Sequence, residues 1–297
     1  MPFKDRIQVI TAASILGLRP TGVEELASTL LAKGLISKIG AAGTIVEVPT
    51  LNHLYDTDRP SGHILNVRAL EQFSISLSYT IQSHASKKKF LLVLGGDCSI
   101  LIGVMHGLKQ KGTYGLFFVD GHADFYSPET SSTGEAADMD LALVTGCGPE
   151  TLTNINGARP YVRQENVVHI GQRDIDETLY YNSPDIRDSH IKCFDAMFIR
   201  EQGVQITVQA IREKINSADI DGFWIHFDTD VIEDRSNPAV DYRMPGGLSI
   251  KECQQILSYV ISTYNVVGMT VSIYNPKLDQ QGKVAGMLVN LLSEVLH

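Results

Sequence analysis

Donor side chains alternate with the smallest residues in Asp120-Gly121-His122-Ala123-Asp124. On an extended backbone this alternation turns all three polar side chains to one side. A carboxylate, an imidazole and a second carboxylate converging on one point make a donor set for a divalent cation. The same residues would also make a polar turn at a strand end, and one short motif does not separate the two readings. A second stretch of the same design favours the metal. Residues 222–227, GFWIHF, run into Asp228-Thr229-Asp230, whose carboxylates share a strand face with His226 two residues earlier. Asp120, His122, Asp124, Asp228 and Asp230 are enough donors for two metal ions that share carboxylates. A third apolar run, 90–94, ends in Gly95-Gly96-Asp97-Cys98-Ser99, where paired glycines permit a tight turn and Cys98 offers a sixth donor.

These donors must be carried on strand ends. Residues 116–119 form a short apolar run bounded by glycine on both sides, the mark of a buried parallel strand. Its charged residues then fall at the carboxyl end, where open α/β sheets bind ligands. Further strands are expected at 7–13, 44–48, 166–170, 191–194 and 266–273. Helical spacing marks 24–32, closed by Gly34, then 64–85, 100–108, 139–145, 207–216, 250 onward behind a Ser249 cap, and 284 to the C-terminus. Residues 51–59 and 234–247 read as loops, and so does 125–138, a Ser/Thr/Pro/Gly-rich segment beside the donors. Such a loop is a natural source of substrate contacts, with Tyr126 and Thr133 as candidates. Strand and helix alternate throughout, so the class is α/β with a mainly parallel sheet.

A chain of 297 residues can bury a full core, and no linker-like stretch divides it, so one domain over 1–297 is expected. A net charge of −9 and the lack of a basic stripe argue against a nucleic-acid surface. The four cysteines are widely spaced without CxxC pairing. With no leader-like start and no apolar run approaching about 18 residues, a soluble cytoplasmic protein with reduced thiols and no membrane partner is expected. Cys147, Cys193 and Cys253 then read as plain core or surface residues.

Taken in order, GGDCS at 95–99, DGHAD at 120–124, GQRDID at 171–176, DTD at 228–230 and GGLS at 246–249 resemble the ureohydrolase family, the arginases and agmatinases. The resemblance implies a three-layer α/β/α sandwich and two manganese ions bridged by hydroxide. One ion would be held by Cys98, Asp120, Asp124 and Asp228, the other by Asp120, His122, Asp228 and Asp230. The hydroxide would attack the amidine carbon of a small guanidino, formimino or related compound, with Asp124 or Asp230 relaying the proton. A homo-oligomer, trimer or hexamer, is implied on the same ground.

Three positions depart from the family's pattern. Cys98 stands where the family has histidine, and a softer thiolate admits nickel, iron or zinc beside manganese; a buried cysteine that binds nothing is the other reading. Ala137 stands where arginases carry a histidine thought to shuttle protons, leaving Glu135, Asp138 or His226 to substitute, although His226 would equally suit a packed core histidine. Ile273 stands where a glutamate pairs with the substrate guanidinium, so the reading points away from arginine itself. By the same resemblance Asp176 would bind the far end of the substrate, while Arg173 and Asp174 read best as a structural ion pair. The alternative function is a metal-binding, non-catalytic homologue acting as a regulatory or assembly partner.

Overall fold

Four long apolar strands at the centre of the molecule set the position of everything else. The structure, a computed structural model, describes residues 6–50, 55–56, 62–215 and 219–297. Its strands are β1 Ile7–Ala12, β2 Val46–Glu47, β3 Phe90–Gly95, β4 Tyr114–Val119, β5 Val167–Ile170, β6 Lys192–Phe194, β7 Gly222–Asp228 and β8 Val266–Ser272. They form one eight-stranded sheet in the order β2-β1-β3-β8-β7-β4-β5-β6. Every pairing is parallel. β3 and β7 are buried at every position, which is why they read as continuous apolar runs and not as alternating ones.

Helices cover both faces of the sheet. They are α1 Leu26–Ala32, α2 Leu35–Ile39, α3 Val67–His84, α4 Ile100–Lys109, α5 Asp140–Val144, α6 Glu150–Thr153, α7 Ile175–Tyr180, α8 Ala196–Lys214, α9 Ile250–Thr263 and α10 Lys283–Val295. Side chains of α1, α2, α8, α9 and α10 join one core layer, and those of α3, α4, α5 and α6 the other. The result is a three-layer α/β/α sandwich. α9 shows how sequence sets this up: Cys253, Ile256, Leu257 and Val260 form its buried stripe. Ser249 and Glu252 close a reciprocal capping box at its start. No helix among the described residues is long and apolar enough to cross a membrane.

The helix expected over 207–216 begins eleven residues earlier, where the Asp195 side chain caps α8 by accepting from Phe198 N at 2.7 Å. Gly203, at φ 79° and ψ 160°, breaks α8 in its middle and hides the first half from a periodic reading. Its expected end at 216 lies outside the described residues, as does most of the expected 51–59 loop. The strand expected over 44–48 is paired only at Val46–Glu47.

Connectivity places the site. The chain steps from β3 across two positions to β4, and β7 and β8 later fill the gap between them. The carboxyl ends of β3, β8, β7 and β4 therefore lie side by side at the centre of the sheet, where the chain's return through β7 and β8 meets its outward path and opens a crevice. Register then brings His226 of β7 beside Phe118 of β4 and Thr270 of β8, and Asp228 beside Ser272.

Candidate metal centre

Each strand end turns sharply, and each turn is fixed by the backbone. After β3, Gly96 lies so close to Ser14 that a Cβ there would strike the Ser14 carbonyl. Asp97 Oδ1 accepts from Ser99 N at 2.9 Å and closes the turn that buries Cys98. The Cys98 thiol donates to Asp228 Oδ2 at 2.8 Å. After β4 the extended backbone stops at Val119, and His122 N bonds Asp120 Oδ1 at 2.7 Å. Asp124 has φ 44°, in the left-handed region. Asp120, His122 and Asp124 thus converge through a turn and not through the extended alternation expected for them. Gly121 admits the Arg173 guanidinium, which a Cβ would displace. After β7, Asp228 Oδ1 accepts from Asp230 N at 2.7 Å and starts a single 3-10 turn, Thr229–Val231.

Donor atoms gather here in three overlapping groups, each with its atoms within 4.8 Å of one another: Cys98, Asp120, His226 and Asp228; Cys98, Asp124 and Asp140; and Asp120, His122 and Asp124. Asp230 joins them through His122, whose Nδ1 lies 3.0 Å from Asp230 Oδ2. Burial, and then the neighbouring carboxylates, push Asp120, Asp124, Asp140 and Asp228 well above the ordinary carboxylate range. Burial acts the same way on Asp230, but His122 outweighs it and holds that carboxyl low. For His122 burial works downward, yet Asp230 raises the imidazole to about 10. Asp120 Oδ2 has no hydrogen-bond partner, and the Asp140 carboxyl meets the Leu141 N–H and a second buried acid, Asp124. Buried carboxylates set against one another, together with an imidazole and a thiol, fit divalent cations.

The cluster forms the floor of a cavity of about 570 Å³. His122, Asp124, Asp228 and Asp230 line that floor, whereas Cys98, Asp120, Asp140 and His226 lie beneath it. His226, read as a candidate proton relay or a packed core histidine, is fully buried and outside the cavity lining, with its ring stacked on Phe118 at 4.8 Å between centroids. Glu135 and Asp138 do reach the cavity. Arg19 Nε stands 3.0 Å from Glu135 Oε1, and the Tyr242 hydroxyl donates to Oε2 at 2.7 Å. Asp138 Oδ2 accepts from Ser131 and Thr133. Tyr126 and Thr133 line the wall.

Asp176 is exposed on the first turn of α7 and outside the lining, where Asp174 and Glu177 stand instead. Arg173 does not pair with Asp174. Its Nη2 donates to the Asp230 carbonyl at 2.6 Å and its Nε to that of Met244 at 3.2 Å. Asp174 accepts from Ala123 N and Gln172. Leu18, Val23, Cys98, Ala137, Val240 and Ile273 form an apolar cluster, with Leu18, Ala137 and Ile273 on the cavity wall. Ile273 holds φ 72°, a conformation that a β-branched residue adopts only under strain.

Sequence reasoning missed Asp140 and Tyr242. An acidic residue in the first turn of a helix is ordinary, and what distinguished Asp140 was its setting among Met139, Leu141, Ala142 and Leu143, all buried. Tyr242 lay in a loop with no pattern to mark it.

A parallel α/β/α sandwich whose central strands end in a buried cluster of aspartates is the architecture of the arginase-type hydrolases. The chain belongs to the arginase family, whose profile matches residues 47–297. That membership makes it a hydrolase of carbon–nitrogen bonds in linear amidines. Among curated relatives, the arginase of Staphylococcus aureus (strain COL) is 28% identical over 293 residues, covering 96% of this chain and 95% of that one. The arginase of Bacillus subtilis (strain 168) is 28% identical over 295 residues, covering 98% and 97%. The crystal structure of arginase from Bacillus cereus superimposes with a TM-score of 0.85 at 26% identity, covering 98% of this chain and 97% of that one.

Proposed function

We propose that this protein hydrolyses a linear carbon–nitrogen bond in a small cationic amidine other than arginine, with two divalent ions held on the shared aspartates. The observation that carries this reading is the floor of the cavity, where His122, Asp124, Asp228 and Asp230 line the space above buried Asp120 and Cys98. When bound, two such ions would supply the charge that lets water ionise near neutral pH. The chain's own groups do the rest. Asp124 and Asp230 stand at the floor, within reach of a proton released there. Asp138, Asp174, Glu177 and Asp241 add negative charge to the walls, and the lining residue Arg243 is paired with Asp234. An amidinium is drawn into such a space.

Arginine is disfavoured because the wall at Ala137 and Ile273 is apolar, so no carboxylate grips the outer face of a guanidinium there. A formimino or other compact amidine loses less by this. Glu135, Tyr126 and Thr133 are placed to orient its tail. Manganese suits the aspartates and His122, and Cys98 opens the set to nickel, iron or zinc. A single domain, a cytoplasmic location and a trimeric or hexameric assembly complete the reading by likeness to the family.

The test is elemental analysis of protein purified without chelator, followed by ammonia, urea or amine release across a panel of amidines. About two ions per chain and turnover that disappears in Asp228→Ala are the expected result. Protein that takes up none of manganese, nickel, iron or zinc, or that hydrolyses no member of the panel when loaded, overturns the reading.

A further inference from the structure

We propose that the ion on the Cys98 side is held from below by His226 and Asp140, two residues outside the family's metal motifs, and is a borderline ion of the zinc or ferrous type. The inference rests on the two-ion reading above and adds to it two ligands and an ion class.

His226 is arranged as a ligand. Its Nδ1 lies 2.9 Å from Thr270 Oγ1, which also receives Trp224 Nε1 at 3.3 Å and reaches the Ile225 carbonyl at 3.3 Å. An indole N–H only donates, and a backbone carbonyl only accepts. The arrangement that uses all three contacts has Thr270 donating to Ile225 and accepting from both rings. Nδ1 then carries the hydrogen, and Nε2 presents a lone pair 3.3 Å from Cys98 Sγ and 3.9 Å from Asp140 Oδ2. Metal-bound imidazoles are oriented in this way, with the second nitrogen tied to an acceptor. Stacking on Phe118, with 18° between the ring planes, fixes the ring further.

Asp140 supplies the second observation. It opens α5 and is fully buried, and its hydrogen-bonding neighbours are the Leu141 N–H and a second buried acid, Asp124. One Asp140 oxygen lies within 4.8 Å of donor atoms of both Cys98 and Asp124. Two buried carboxyls that face each other are relieved by a cation, and His226 and Cys98 offer their donor atoms to the same space. Thiol, imidazole and carboxylate together suit zinc or ferrous iron better than manganese, whereas the aspartates around His122 keep the harder character.

The test uses the full chain, stripped with chelator and titrated with Co²⁺ while absorption and bound metal are followed. One equivalent should bring a sulfur-to-cobalt charge-transfer band, which Cys98→Ser removes. His226→Gln and Asp140→Asn should each weaken that equivalent at least about tenfold, the loss that even an outer-sphere partner costs, and leave the other unchanged. Two bound ions whose sulfur-side affinity is unmoved by both substitutions overturn this inference and leave the two-ion reading standing. One ion with the sulfur band supports this site and removes the second ion from that reading; no uptake at all overturns both. Buried substitutions can unfold a protein, so X-ray absorption of the unsubstituted zinc form decides independently. It should show one sulfur at about 2.3 Å with imidazole scattering, and an all-oxygen shell overturns the assignment. Offered equimolar manganese and zinc, the chain should keep zinc on the sulfur side; manganese on both sides overturns the ion class.

Discussion

Asp120 lies beneath the floor of the site and Ile273 on its wall, and each is held in an unfavourable state, one by like charges and the other by its backbone. Asp120 is fully buried among carboxylates that raise one another, so Asp120→Asn should remove repulsion from the chelator-treated protein. Its thermal midpoint should rise by about 2–4 °C, the shift that 1 kcal/mol gives a domain near this size, while bound metal per chain falls; scanning calorimetry and elemental analysis read the two effects. Ile273 lacks the carboxylate that would meet a guanidinium. Ile273→Glu should lower KM for guanidino compounds about tenfold or more, since a charge-assisted contact contributes about 1.5–3 kcal/mol. Steady-state kinetics with paired guanidino and formimino substrates would show whether selectivity moves. The donors of DGHAD, DTD and GGDCS were legible in sequence because small residues separate them and apolar runs precede them. Asp140 was not legible, because its meaning lies in which side chains surround it after folding.

Strands and loops hold these donors, and β5 supports the loop that carries His122. His169 of β5 is fully buried, and its Nε2 bonds the His122 carbonyl at 2.7 Å. Burial lowers its pKa from 6.5 to about 4. The unfolded chain therefore takes up this proton first as pH falls. The stability held by the neutral ring is complete above pH 6.5 and is lost as pH drops through the window down to about 4. At about 1.4 kcal/mol per pH unit, urea midpoints of chelator-treated protein at pH 7.5 and 5 should differ less in His169→Gln than in the unsubstituted chain. Ser249→Ala should lower stability by about 1 kcal/mol, read from the same urea curves, because it dismantles the capping box of α9. Periodicity made α3, α9 and α10 legible, whereas the first half of α8 escaped because Gly203 interrupts its period and its cap, Asp195, precedes the break. One-turn α2, α6 and α7 are too short to show a period at all.

Across the whole molecule, negative charge is concentrated at the carboxyl ends of the central strands. The cavity walls bear Asp138, Asp174, Glu177 and Asp241 around the aspartates of the floor, in a chain whose net charge is −9. A cationic substrate should be steered there, so kcat/KM should fall as ionic strength rises, with a Debye length shrinking from about 30 Å at 0.01 M to about 10 Å at 0.1 M. An uncharged analogue serves as the control that should not respond. Strand order could not be read from sequence, since β7 and β8 enter between β3 and β4 only after more than a hundred intervening residues. The sheet also tapers: its outermost members, β2 and β6, have two and three residues, against six or seven in the four central strands. Among the described residues the outermost strands are too short to offer another chain a long template, a form that works against runaway fibre-like growth. Short rims of this kind favour union between copies through side chains of the outer helices and loops over extension of the sheet.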